Sequence, residues 1–395
     1  MTEKIAVAGT STIESSPLVD APLNGAITSN AAANREASAV AKRRATATAR
    51  TRRWLRTNLF SSPLMGTLSV LTLLLLGFAL PPLFRWAFLD AVFDGSNRSV
   101  CGAGACWAFI ADRLEQFAYG RYTPAERWRV DIALALLAGF AALSLWSRNP
   151  HRALSVLLLV TLCPAIATVL LIGGVFGLPF VPTDQWGGLS LNIILTFATV
   201  VLALPLGVVL AMGRRSQLSV IRWSCTAFIE VLRGVPLLTV LFMAMVMLPM
   251  FLPEGVTFDR LVRAIIGLSL FVAAYFAEII RAGLQGIPKG QYEAAAAIGL
   301  GFWGAHRLIV LPQAFRLVVP GIVNTVIDLF KDTTLVSIIG LFDLLGVVGQ
   351  SIKDPNWLGL GREGYAFAAL VFFICCYAMS LLSLRIERRI RSASH

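Results

Sequence analysis

Seven charged side chains fall inside stretches of sequence that are otherwise apolar, and these residues are the best placed to do chemistry. They are Glu230, Arg233, Glu278, Arg281, Asp328, Lys331 and Asp332. A charge within the hydrocarbon layer of a membrane is costly, so such residues usually pair with one another or line a path for a polar substrate. A zwitterionic substrate needs a counter-charge for each of its two ends. We therefore predict a substrate path formed by Glu278, Lys331, Asp328, Asp332 and Arg233, with the deeper Glu278 and Lys331 preferred.

The spacing of these charges also allows a purely structural role. Three acids have a base three residues further along the chain, which places both side chains on the same face of a helix. The pairs are Glu230 with Arg233, Glu278 with Arg281, and Asp328 with Lys331. Structural ion pairing and a role in the substrate path both stay open from the sequence.

Other chemistries lack their residues in this chain. There is no Gly-x-x-x-x-Gly-Lys-Ser/Thr loop for a nucleotide, and no Gly-x-Ser-x-Gly or His-Glu-x-x-His sequence. The three histidines, His151, His306 and His395, lie in different segments, and no metal-ligand spacing occurs. The sequence therefore predicts neither an enzyme nor a metal or cofactor bound by this chain, and His306 is interpreted as an interfacial loop residue.

The segment 283–313 between two apolar stretches has a distinctive composition. Pro288 suits a turn before a short helix, and the run of alanines at 294–297 gives that helix almost no side-chain bulk. Gly299 suits the residue after the helix, which must adopt a positive φ. Pro312 can occupy the first turn of the next helix. A helix this bare would let another protein approach its backbone closely, although it could also be a simple connection.

Composition places all of these residues in a membrane protein. Of the 395 residues, 57% are hydrophobic and only 14% are charged, far from the balance of a soluble domain. Long apolar stretches predict an all-α polytopic protein with about eight transmembrane helices. The predicted spans are 63–82, 131–147, 152–178, 189–212, 227–250, 263–282, 314–340 and 365–384. The net charge of +12 fits basic loops at a membrane better than nucleic-acid binding.

Charge along the chain also predicts its organisation. Residues 1–55 are polar and without an apolar period, so a disordered basic tail is expected. Lys and Arg concentrate in this tail and in alternate loops, which predicts that both termini are cytoplasmic. We divide the remainder into an N-terminal three-span extension at 56–184, with an external loop at 84–130, and a five-span core at 185–395.

Two cysteines in the external loop stand close together, as Cys101 and Cys106. If this side of the membrane is oxidising, a small disulfide loop is permitted, and two free thiols are an equal alternative. Cys163, Cys225, Cys375 and Cys376 lie in or beside apolar spans and are interpreted as packing residues.

The spacing in the 283–313 loop resembles a known signature. It runs Glu293, Ala294, Ala295, three residues, Gly299, nine residues, Ile309, one residue, Leu311 and Pro312. This arrangement is similar to the EAA signature of the membrane subunits of bacterial binding-protein-dependent ABC importers. All seven defining positions match at fixed spacing.

Two further stretches resemble the polar amino-acid permeases of the histidine/glutamine type within that family. One is Arg233-Gly-Val-Pro236-Leu-Leu, and the other is Lys331-Asp-Thr-Thr-Leu335-Val-Ser337, with Thr334 at a position that is Ser in the family pattern. The resemblance covers roughly residues 185–390. The longer plan, with its extra N-terminal spans, resembles the M subunit of the general L-amino-acid importer.

This resemblance implies a function and a set of partners. The chain is expected to be the permease of an ATP-driven amino-acid importer in the bacterial inner membrane, with the five-helix core of a type I ABC importer. The seven signature residues would couple it to a separate dimer of ATP-binding cassette ATPases, which would hold the ATP and magnesium. A second permease subunit, expected to be a different chain, would complete the path, and a periplasmic binding protein would deliver the amino acid.

Two other classes of protein are weighed against this one. An ion-coupled secondary amino-acid transporter also places charges within its spans, but it has no use for the signature loop. A membrane-anchored sensor would use the external loop to bind its ligand, but it has no use for charged spans.

Overall fold

The computed structural model describes residues 53–146, 150–253, 255–256 and 258–392. The tail predicted at 1–55 lies almost wholly outside the described residues. The chain divides into two compact units, Met1–Phe84 and Arg85–His395. In the first unit, helix α1 spans Pro63–Phe84. No residue of α1 is buried within the chain, as expected of an apolar helix surrounded by lipid.

The second unit begins with the rest of the extension. Helices α2 to α5 span Trp107–Tyr119, Arg127–Leu145, Arg152–Val160 and Leu162–Ile172. The span predicted at 152–178 is wrong at its end, because α5 stops at Ile172. Gly173 and Gly174 follow with φ of 70° and 78°, values that end a helix and that glycine adopts without strain.

The core contains the remaining helices. Helices α6 to α14 span Gly188–Gly213, Ser219–Gly234, Leu237–Met250, Arg260–Gln285, Lys289–Ala297, Phe302–Ala305, Leu311–Asp332, Leu344–Ser351 and Gly361–Ser392. Helices α6 and α9 form its centre. At Gly207 of α6, a Cβ atom would stand 2.7 Å from Cβ of Phe276 on α9, so the two helices approach closely because that side chain is missing.

One predicted span is broken in the structure. The sequence predicts a single span at 227–250, but the chain bends by 109° between α7 and α8. Pro236 lies at the break, with Val235 before it in an extended conformation. Proline cannot donate the backbone hydrogen bond that would continue α7, and it also disfavours helical geometry in the residue before it.

The bundle has two distinguishable ends. At the α10 end, helices α6 and α9 finish and α12 begins. At the α2 end, α6, α9 and α14 begin, and α12 tightens into a 3-10 segment, Thr333–Ile339. There the backbone of Gly187 and Gly188 bridges in parallel to Phe342 and Asp343.

A buried polar network holds the α2 end together. The side-chain amide of Asn192 donates to Oγ1 of Thr333 at 2.8 Å and to Oδ2 of Asp343 at 3.2 Å. Asp343 also accepts the amide N–H groups of Leu345 and Gly346, which caps α13. Burial nevertheless raises the pKa of Asp343 above its ordinary value. The network ties α6, the end of α12 and α13 to one another.

Six helices in the described part of the chain are long and apolar enough to cross a membrane, or up to seven if α7 and α8 form one bent span. An all-α polytopic protein is therefore confirmed, whereas the count of eight is not. The span predicted at 131–147 falls largely on helix α3, which ends at Leu145 and is not one of the six.

Candidate functional site

Helix α10 lies at one end of the bundle, and it begins and ends as the sequence predicts. Pro288 precedes its first residue, and Gly299 follows it with a φ of +79°. The N–H of Gly299 bonds to the carbonyl of Ala296, and the N–H of Leu300 bonds to that of Ala295. These two bonds form a Schellman motif, which requires the positive φ at Gly299. That backbone prediction is confirmed.

The seven signature residues differ in how exposed they are. Glu293, Ala294 and Gly299 are exposed, and a Cβ atom at Gly299 would meet nothing within 4 Å in the described part of the chain. Ala295 is fully buried, so this face of α10 packs against its own bundle. Ile309 and Leu311 are half-buried, whereas Pro312 is exposed in the first turn of α12, as predicted.

Tyr292 fastens α10 to the bundle, and the sequence-based reasoning missed it. Its hydroxyl donates to the carbonyl of Leu284 at 3.3 Å and accepts from Nη1 of Arg215 at 3.2 Å. The guanidinium of Arg215 also lies over the tyrosine ring. His306 packs edge-on against the same ring, is buried and begins the helical segment His306–Val310, so the prediction that it is a loop residue is wrong. A single large aromatic in an alanine-rich helix was the signal available in the sequence.

Large apolar side chains stand exposed beside α10. Their exposed fractions are 72% for Ile298, 55% for Phe302, 73% for Trp303 and 65% for Leu308. We call these four residues the apolar patch. Ile298 follows the last residue of α10, Phe302 and Trp303 lie on α11, and Leu308 lies in the helical segment His306–Val310. Exposed apolar side chains of this kind mark a surface that contacts another protein or lipid.

Five charged residues meet near the α10 end of helices α6, α7 and α9, and we call them the arginine cluster. They are Arg214, Glu230, Arg233, Glu278 and Arg281. Glu278 lies at the centre. Its Oε2 accepts from Nε of Arg281 at 3.0 Å and from Nη1 of Arg214 at 3.1 Å, and it lies 3.8 Å from Nη1 of Arg233.

Of the two ion pairs predicted within this cluster, only one is present. Glu278 pairs with Arg281 as predicted, but Glu230 bonds to Arg214 at 2.8 Å and Arg233 turns to Glu278. Arg214 lies just beyond α6, and nothing in the local spacing around Glu230 pointed to it.

Lys331 and Asp328 occupy a different part of the molecule. Nζ of Lys331 lies 2.8 Å from Oδ1 of Asp328, one turn away on α12, so this predicted pair is present. Both side chains are more than half exposed on the surface of the chain, and Asp332 is half-buried beside them. They lie towards the α2 end, whereas Glu278 lies towards the α10 end. The structure therefore does not bring the two preferred path residues together.

The α2 end carries the predicted cysteine pair. The Sγ atoms of Cys101 and Cys106 are 1.99 Å apart, at bonding distance. Nearby, Arg113 of α2 forms an ion pair with Asp354 at 2.8 Å, and Asp112 accepts from the indole of Trp357 at 2.9 Å. These two contacts join helix α2 to the segment between α13 and α14. At the end of α2, a hydrogen bond to Asp131 of α3 raises the pKa of Tyr119.

No group of three or more His, Cys, Asp or Glu side chains that could hold a metal ion occurs among the described residues.

Comparison with known proteins adds three findings. The profile of the family described as "Binding-protein-dependent transport system inner membrane component" matches residues 203–392. The inner membrane amino-acid ABC transporter permease protein YhdY of Escherichia coli (strain K12) is 49% identical over 337 residues, which cover 85% of this chain and 92% of that protein. The glutamate/glutamine/aspartate/asparagine transport system permease protein BztC of Rhodobacter capsulatus is 35% identical over 406 residues. The match covers 86% of this chain and 93% of that protein.

Among solved structures, a crystal structure of an amino acid ABC transporter with histidines is similar. It shares 32% sequence identity with a TM-score of 0.45, over 51% of this chain and 92% of that one.

Proposed function

Since this chain belongs to the family of inner membrane components of binding-protein-dependent transport systems, we propose that it is the permease subunit of an ATP-driven amino-acid importer. Two relatives that match it over most of its length are named for amino-acid transport. The family match and these relatives do not support the alternative function, an ion-coupled secondary transporter. The longer plan with its extension favours the M-type subunit of a general amino-acid importer.

The observation that carries this function is the geometry around α10. A short helix with a bare face is held on the bundle by Tyr292, and the apolar patch extends it into a surface that is exposed in the described part of the chain. We assign this surface to docking on a separate ATP-binding cassette ATPase. Glu293, Ala294 and Gly299 would contact the ATPase. Ala295, Ile309, Leu311 and Pro312 would hold the surface on the bundle and transmit its movement.

This assignment implies an orientation in the membrane. The α10 end would face the cytoplasm, where ATP is available, and we propose from the distribution of Lys and Arg that both termini are cytoplasmic. The α2 end then faces the periplasm, where the binding protein delivers substrate. A bond between Cys101 and Cys106 suits that side, because disulfides persist in the periplasm and not in the cytosol.

Lys331, Asp328 and Asp332 are assigned to the substrate path. A lysine and an aspartate exposed on a spanning helix are unfavourable against lipid, so this face belongs against a polar path or a second subunit. A second permease facing it would close the path between two chains. We propose that the second permease is a different chain, as in the M-type pattern.

Co-purification tests the proposed function. The tagged chain is extracted in mild detergent from its native membrane, and the proteins recovered with it are identified. We expect an ATP-binding cassette ATPase and a second permease of different sequence. Recovery of this chain alone, with amino-acid exchange that needs a proton gradient and no ATP, would overturn the proposal.

Exchanging the charges of Lys331 and Asp328 distinguishes a path from a structural pair. We expect Lys331→Gln to reduce uptake about tenfold at normal expression, because the loss of one charge contact to substrate is worth about 1.4 kcal/mol. The double variant Lys331→Asp with Asp328→Lys keeps the ion pair but reverses its direction. If the pair is only structural, the double variant will transport normally. If Lys331 contacts the substrate, the double variant will remain impaired.

A further inference from the structure

Two consecutive arginines at the end of α6 reach in different directions. The backbone there is ordered, because the N–H of Arg214 bonds to the carbonyl of Leu210 and the N–H of Arg215 bonds to that of Met212. The side chain of Arg214 belongs to the arginine cluster, whereas that of Arg215 bonds to the hydroxyl of Tyr292 on α10. Consecutive Cα atoms are about 3.8 Å apart. A single peptide unit therefore joins α10 to the arginine cluster.

The side chain of Arg214 bridges two helices. Its Nη1 donates to Oε2 of Glu278 on α9 at 3.1 Å, and its Nη2 donates to Oε1 of Glu230 on α7 at 2.8 Å. Both acceptors are carboxylates, and hydrogen bonds between charged groups are the stronger kind. A planar guanidinium that is held at both amino groups has a fixed orientation. A displacement of the Arg214 backbone is therefore passed on to α7 and α9.

Helix α7 leads from this contact to the break in its membrane span. Glu230 lies one turn before the end of α7, and the chain then bends by 109° into α8. Arg233, beside the bend, lies 3.8 Å from the central carboxylate of the arginine cluster. The end of α6 also packs closely on α7, since a Cβ atom at Gly213 would clash with Sγ of Cys225. Residues at the ends of helices are where hinge movements are usually absorbed.

We infer that Arg214 and Arg215 form a joint that carries movement of α10 to the bend between α7 and α8. The inference rests on the proposed function, in which the ATPase moves α10. Tyr292 moves with α10, and Arg215 follows it through the hydroxyl bond of 3.2 Å and through the tyrosine ring beneath its guanidinium. Arg214 then shifts α7 relative to α9. Both arginines act through other residues, so they are positioning residues for transport.

A second route from α10 leads directly into α9. Helix α9 continues into α10 through residues 286–288, and the hydroxyl of Tyr292 donates to the carbonyl of Leu284 in the last turn of α9. This route does not involve Arg215. Helix α7 is separated from α10 along the chain by α8 and α9, so the side chains at the end of α6 give it a shorter connection. The experiment must therefore separate the two routes.

The test compares uptake with ATP hydrolysis in the complete complex. The co-purified complex is reconstituted in liposomes with the binding protein and a mixture of radiolabelled L-amino acids. Arg215→Gln removes the guanidinium but leaves the bond from Tyr292 to Leu284 in place. We expect ATP hydrolysis to continue while uptake per ATP falls at least about fivefold, a loss typical of coupling between two sites. Tyr292→Phe removes the same bond from the other side and should also lower this ratio. The double variant should lose less than the two single losses combined.

Arg222→Gln is the matched control, because it removes the same charge from an exposed position in the first turn of α7. We expect its uptake per ATP to be unchanged. A normal ratio in both Arg215→Gln and Tyr292→Phe would overturn the joint and leave the route through α9. An equal fall of hydrolysis and uptake would also overturn it, because Arg215 would then only keep the docking surface in shape. Absence of ATP-driven uptake by the unmodified complex would instead refute the proposed function, and the joint with it.

Discussion

Gly299→Asp is expected to reduce amino-acid uptake at least about tenfold while the chain still folds and inserts into the membrane. A Cβ at this position meets nothing in the described structure, so the added side chain creates no clash within the chain. The positive φ of +79° costs a residue other than glycine about 1–2 kcal/mol, which a folded membrane protein can tolerate. The large effect comes from a carboxylate placed on the surface that we assign to the ATPase, beside the apolar patch. Charge desolvated at an interface without a partner opposes association strongly.

Gly177→Asp is the matched control, because it places the same charge at an exposed glycine between α5 and α6, away from the docking surface. Gly177 also has a positive φ, of +74°, and a Cβ there meets nothing within 4 Å in the described part of the chain. The backbone strain is therefore similar in both variants, and only the position of the carboxylate differs. We expect a much smaller loss of uptake, and recovery of the ATPase with the purified complex should follow the same order. Undiminished uptake by Gly299→Asp would remove Gly299 from the docking surface.

The sequence predicts most spans because apolar length is a local property. The helices observed at 63–84, 188–213 and 260–285 lie within a few residues of their predicted bounds. The break at Pro236 was missed because proline is tolerated within many membrane helices, so its presence alone does not show whether a helix bends. Helix α5 ends early because Gly173 and Gly174 adopt positive φ values. Counting apolar residues along the sequence does not reveal these backbone conformations.

In the candidate site, too, some features follow from local sequence and others depend on residues far apart in the chain. The positive φ at Gly299 and the place of Pro312 follow from backbone rules that act over a few residues. The partners of Glu230 and Tyr292 could not be predicted, because Arg214 is 16 residues from Glu230 and Arg215 is 77 residues from Tyr292. Such contacts depend on how α6, α7 and α10 are arranged at the end of the bundle.

Glu278→Gln is expected to lower the thermal midpoint of the purified complex by several degrees. The carboxylate bonds to Arg281 and Arg214 and lies 3.8 Å from Arg233, and its side chain is 23% exposed. A neutral amide leaves three guanidinium groups close together with only Glu230 to balance them. Hydrogen bonds to a charged group contribute about 1.5–3 kcal/mol, and the partial exposure of Glu278 reduces this to about 2 kcal/mol for the cluster. Mutual repulsion would separate the ends of α6, α7 and α9.

Glu230→Gln removes an acid from the rim of the same arginine cluster and serves as the control. Its side chain is 56% exposed and bonds to Arg214, so we expect a loss of no more than about 0.5 kcal/mol. The double variant Glu278→Gln with Arg281→Gln should recover part of the stability lost in Glu278→Gln, because it also removes one of the unbalanced positive charges. A normal thermal midpoint in Glu278→Gln together with abolished uptake would reverse the interpretation. Glu278 would then belong to the substrate path, since a residue that only holds three helices together cannot be lost without loss of stability.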